Sequence, residues 1–180
     1  YVGGAFTSIG GQSRSKLAAF DLTTGNVTSW NPSPNGNVTA LASNGTEIYA
    51  GGAFTQIGGL QRNNLAGVNT GTGSWTNWNP NATGGAVNTA VVSGGNVLVG
   101  GLFTSVGGQV RSKIGAVDST TGLATSWNPS ANAEVKTIEH DVEQRSHSDE
   151  QGPELGECHR SLLVLAPGVL APGVLAPGML

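Results

Sequence analysis

Three arginines stand in register along the chain, Arg14, Arg62 and Arg111, each in a loop that follows a Gly-Gly pair. A guanidinium is permanently charged and presents a rigid fork of donors, so a ring of three on one face would suit an acidic polysaccharide. The structural alternative is that each arginine satisfies backbone carbonyls or pairs with a repeated acid such as Asp21 or Asp118. Asp21, Asn69 and Asp118 also recur, each four residues before a glycine. Asp-x-x-Thr-Gly offers several oxygens, but the spacing does not match a twelve-residue calcium loop with its closing bidentate Glu, and the middle copy carries Asn. A turn in which the short side chain accepts from nearby N–H groups accounts for the motif better.

The only cysteine, Cys158, and all three histidines, His140, His147 and His159, lie near the C-terminus. Ligand spacing is absent, one thiol cannot build a cysteine metal site, and a Cys–His nucleophile needs a rigid scaffold to orient it. Between residues 1 and 138 the acids are only Asp21, Glu47, Asp118 and Glu134. Acid–base or nucleophilic catalysis requires several such groups to converge, so no catalysis, metal or cofactor is expected of this region. Asn26, Asn37, Asn44 and Asn81 each begin an Asn-x-Ser/Thr triplet, which marks surface turns.

The elements that must hold these residues are short strands. Twenty-nine glycines and only 11% charged residues in 180 describe many tight turns rather than helices. With eight basic residues spread thinly and a net charge of −3, there is no electrostatic footprint for nucleic acid or an anionic membrane. The segment Ile48 to Gly59, IYAGGAFTQIGG, has near copies at Tyr1 to Gly11 and Leu98 to Gly108, and the Gly-Gly pairs begin at Gly3, Gly51 and Gly100. Spacings of 48 and 49 residues are those of one supersecondary unit repeated. The chain opens inside a copy, so it is expected to be a fragment or a processed product.

Within a copy, Leu17 to Leu22 reads as a strand, and Thr24-Gly25 as a turn into a second strand, Val27 to Trp30. Trp30-Asn31-Pro32, repeated at Trp78 and Trp127, ends that strand, since proline removes a ladder donor. Val38 to Leu41 and Glu47 to Ala50 supply two more strands, and the Gly-Gly-x-Phe-Thr segment is expected to join one unit to the next. Four strands per unit without helical periodicity predict an all-β fold, a partial β-propeller of nearly three antiparallel blades over residues 1–138. Phe6, Phe54 and Phe103, with Trp30, Trp78 and Trp127, are expected to pack between neighbouring blades. Three blades leave apolar faces open, so the isolated chain is expected to be marginal or to associate.

Near Ile138 the repeat stops. Residues 139–180 are expected to form a disordered or loosely packed tail of different origin, a frameshift or a fusion, ending in three Val-Leu-Ala-Pro-Gly copies. A Pro-Gly pair every five residues prevents a continuous membrane helix there.

The run GGAFTSIGGQSRSKLAAFDLTTGNVTSWNPSPNGNVTALASNGTEIYAGG resembles the bacterial extracellular propeller repeats called delta-sixty and, more distantly, the repeats of fungal cortical polarity markers. The resemblance covers about residues 1–138. It implies a secreted or cell-surface location and a non-catalytic role in recognition, adhesion or spacing, with a surface polysaccharide or protein and the neighbouring blades as partners. AFDLTTGNVTSW is similar to the repeat signature of quinoprotein dehydrogenases, in which the tryptophan packs between blades. One extra residue between Gly25 and Trp30, and no adjacent cysteine pair, separate this chain from those enzymes, so no quinone is expected. The runner-up reading is the substrate-binding propeller of a carbohydrate-active or other extracellular enzyme whose catalytic residues lie elsewhere.

Overall fold

A computed structural model describes residues 1–140 and the strand Leu162–Leu165. The described residues are all-β and contain no helix. The complete unit begins with β5 (Val38–Ser43) and β6 (Glu47–Gly52), continues through the small hairpin β7 (Gln56–Ile57) and β8 (Leu60–Gln61), and returns as β9 (Leu65–Asn69). β5, β6 and β9 form one antiparallel sheet in that order. The next copy repeats it with β10 (Val87–Ser93), β11 (Asn96–Gly101), β12 (Ser105–Val106), β13 (Gln109–Val110) and β14 (Ile114–Asp118). The first copy holds β1 (Val2–Gly3) against β4 (Leu17–Ala18), with the small hairpin β2 (Ser8–Ile9) and β3 (Gln12–Ser13) between them. Beyond the third sheet, β15 (Thr137–His140) pairs antiparallel with β16 (Leu162–Leu165). Apart from Glu139, His140 and that strand, the tail lies outside the described residues.

Two expectations are corrected. Gly-Gly-x-Phe-Thr does not join units, because its glycines end β6 and its Phe-Thr leads through the small hairpin to β9, and those strands pair within one sheet. The crossing between sheets is made instead by the Trp-Asn-Pro loop, which runs from Trp78 to β10. The expected second strand of each copy, Val27 to Trp30 in the first, is also reduced to a single bridge, at Phe20↔Val27, Val68↔Trp75 and Val117↔Ala124. Each of these segments meets Trp-Asn-Pro within a few residues, and proline cannot continue a ladder.

The small hairpins come from paired glycines. Gly58 (φ 56°) and Gly59 (φ 83°) bridge β7 and β8 with both residues left-handed, the two-residue loop that matches strand twist. The other Gly-Gly pair has a packing role. A Cβ on Gly51 would stand 2.7 Å from Val87 Cγ1 of the next sheet, and Gly3 and Gly100 relate in the same way to Val38 and Val135, at 2.6 and 2.5 Å. Val38 and Val87, which lead β5 and β10, and Val135, two residues before β15, are thus each seated in a socket left by the glycine of the sheet before.

The sheets stack face to face, with apolar cores between them. Leu17, Ala19 and Trp30 of the first copy pack with Ile48, Phe54 and Val68 of the second. Tyr49, Leu65 and Trp78 pack with Val97, Phe103 and Val117 of the third. Ile114 and Ala116 meet Val135 and Ile138. The middle sheet is therefore covered on both sides.

Candidate functional site

The three arginines occupy one repeated geometry. Arg14 donates from Nη1 to the Ser13 carbonyl (2.8 Å) and from Nη2 to that of Thr28 (2.6 Å). Arg62 reaches Gln61 (3.0 Å) and Thr76 (3.3 Å), and Arg111 reaches Val110 (2.9 Å) and Thr125. Each guanidinium is half-buried, with its Nε enclosed and unpartnered. Each ties the outermost segment of its unit to the small hairpin, and its charge-assisted bonds go to backbone rather than outward. No arginine is paired with a carboxylate among the described residues, where the one ion pair is the exposed Lys136–Glu134 contact at 4.0 Å.

The acidic turn motif is closed by its own backbone. Asp21 Oδ1 accepts from the N–H groups of Thr23 and Thr24 (2.8 and 2.9 Å), Asn69 Oδ1 from Gly71 and Thr72, and Asp118 Oδ1 from Thr120 and Thr121. Gly25, Gly73 and Gly122 follow with φ of 72–73°, where a Cβ would strain the backbone. The backbone N–H donors of Thr24 and Thr23 hold the Asp21 carboxyl below its ordinary range, and those of Thr121 and Thr120 act likewise on Asp118. Among the described residues no three His, Cys, Asp or Glu side chains come together to hold a metal ion.

The repeated aromatics sit at the joints between sheets. Trp30 Nε1 donates to the Asn69 carbonyl of the second sheet (2.8 Å) and Trp78 Nε1 to that of Asp118 in the third (2.9 Å). Both rings are buried, whereas Trp127 is half-buried beside β15. Phe54 and Phe103 are fully enclosed, and Phe6 is half-buried. Tyr49 stands 4.6 Å from Trp78 between ring centroids, accepts from Asn44 Nδ2 (2.7 Å) and donates to the Ser119 carbonyl (3.1 Å). Burial, with Glu47 nearby, pushes its hydroxyl up to about 12.

A cleft of about 270 Å³ opens between the first two sheets, lined by Tyr1, Phe20, Ser29, Trp30, Thr70 and Thr72. Tyr1 meets Trp30 edge-on at 4.9 Å and donates to the Thr70 carbonyl (2.9 Å). The lining is neutral and hydroxyl-rich, suited to hydrogen bonding rather than proton transfer.

One aromatic was missed by reading in register. Trp75 lies outside the Trp-Asn-Pro motif and is 40% exposed. Its signal in the sequence was that it breaks the pattern, since the matching residues are Val27 and Ala124. Neither a family model, nor a curated protein, nor a solved structure matches this chain.

Proposed function

We propose that this chain is an arc of a β-propeller that works without catalysis, as a recognition or spacing module of a secreted or cell-surface protein. The observation carrying this reading is the constant joint: Gly3–Val38, Gly51–Val87 and Gly100–Val135 seat one sheet on the next by one rule. Stacking by such a rule supports a radial array whose hairpin tips and Gly-Gly turns stay at the rims, free to meet a partner. The repeat's strongest polar groups, the three guanidinium forks and the aspartate turns, are bound to backbone, which supports a scaffold role for them over an anion-binding ring. The resemblance to delta-sixty repeats supports the extracellular setting.

The test is to incubate the chain with neutral and anionic polysaccharides and to follow binding and the release of reducing ends together. Binding without turnover supports recognition, neither leaves the spacer role, and turnover overturns the non-catalytic reading.

A further inference from the structure

Trp75 has no role in the stacking that explains the other three tryptophans. Trp30 and Trp78 are buried between sheets with their indole N–H groups bonded to the following sheet, and Trp127 packs beside β15. Trp75 stands on the outermost segment of the middle unit, 40% exposed, and its indole N–H meets no acceptor among the described residues.

The flanking copies act as internal controls. In all three units this residue covers the left-handed glycine of the small hairpin. Gly10 lies under Val27, Gly58 under Trp75 and Gly107 beside the Ala124 backbone. Alanine or valine therefore meets the demand of the fold, and most of the indole is surplus to it. A Cβ on Gly58 would stand 2.2 Å from Trp75 Cε3, so the ring lies directly on glycine backbone. One edge of a rigid aromatic is thus fixed against a bare turn while 40% of the residue stays exposed.

The surroundings narrow the ligand class. From residue 53 to residue 78 the only charged side chain is Arg62, and its Nη groups are bound to the Gln61 and Thr76 carbonyls. Gln56, Gln61 and Asn77, all exposed, supply neutral amides on the same hairpin and segment. An exposed indole with a free N–H, on a segment and against a hairpin whose exposed side chains include neutral amides, suits a ring with an apolar C–H face and hydroxyl edges. The face stacks, and the hydroxyls exchange hydrogen bonds.

We propose that Trp75 is a stacking platform for a pyranose ring of an uncharged polysaccharide. The inference rests on the recognition reading above and names its ligand. The full chain is run in affinity gels containing galactomannan, xyloglucan, mixed-linkage β-glucan or amylopectin, with alginate as the anionic arm, beside Trp75→Ala and Trp75→Phe. The expected result is retardation by at least one neutral polysaccharide, weakened about tenfold or more in Trp75→Ala and partly retained in Trp75→Phe, since tenfold is about 1.4 kcal/mol. Circular dichroism and melting of Trp75→Ala are expected to stay close to the parent because Ala124 fills the same place. Should alanine loosen the fold, Trp75→Val installs the first copy's residue and reads the same loss. Undiminished retardation of the Trp75 variants overturns this site while leaving recognition intact. Retardation by alginate alone, or by none of the polymers, also overturns it. Reducing-end release would refute the non-catalytic reading without bearing on where the sugar stacks.

Discussion

Enlarging Gly51 should weaken the chain through the neighbouring sheet rather than through its own backbone. Gly51 is not in the left-handed region, so alanine is conformationally acceptable there, and the cost arises from contact. The added methyl would lie 2.7 Å from Val87 Cγ1 and 3.1 Å from both Val87 Cβ and Ala40 Cβ. Overpacking of this kind costs about 1–3 kcal/mol. Val87 is fully buried, and trimming it to alanine removes two methyl groups, about 1.6 kcal/mol from transfer alone. The two substitutions relieve each other, so Gly51→Ala/Val87→Ala should fall short of the summed single costs by about 1–2 kcal/mol. Urea unfolding followed by tryptophan fluorescence measures all four corners of the cycle. Gly71→Ala, at an exposed glycine outside the left-handed region, is the control and should be near neutral. Additivity within about 0.5 kcal/mol would refute the socket as the joint between sheets.

Arg62→Ala should lose about 1–3 kcal/mol by urea unfolding, because two carbonyls lose charged donors; an unchanged midpoint would deny the latch. Tyr49 has a folded value near 12 against about 10 when unfolded, so its contribution is full below pH 10 and lost as the pH rises to 12. Alkaline titration of stability should show that fall in the parent and a shallower one in Tyr49→Phe. Asp21 and Asp118 are depressed in the fold, so their contribution is full above the unfolded value of about 3.9 and fades as the pH drops through the folded values. Asp118→Asn should keep the turn, as Asn69 does, and flatten the acid limb of the stability curve.

Local chemistry was legible wherever it recurred. Asp-x-x-Thr-Gly announced its turn because one side chain and one glycine suffice to build it, and Val38 to Leu41 announced a strand by apolar content alone. What escaped depended on distant partners. Gly51 looks like loop or hinge in one dimension, and only the approach of Val87 from the next sheet makes it a socket. The sequence leaves the role of Arg62 open between anion binding and carbonyl satisfaction because one acceptor it reaches, Thr76, stands fourteen residues away across a hairpin. The hairpin of β7 and β8 was overlooked since two-residue strands carry no periodicity, although Gly58-Gly59 was a turn signal. Trp75 is passed over by a reading that looks for what recurs, because it occurs in one copy only, and it shows only as a departure from Val27 and Ala124.

The glycine–valine socket also bears on how such a chain changes length. Each unit of 48 or 49 residues carries one valine knob and one glycine socket, so copying a whole unit in a gene adds both and every new boundary matches the old ones. Unequal recombination can add or delete units without inventing an interface. A single point change in the socket has no such freedom, because its partner sits in a different copy and must change with it. Copy number in this architecture should therefore drift faster than the residues at its joints.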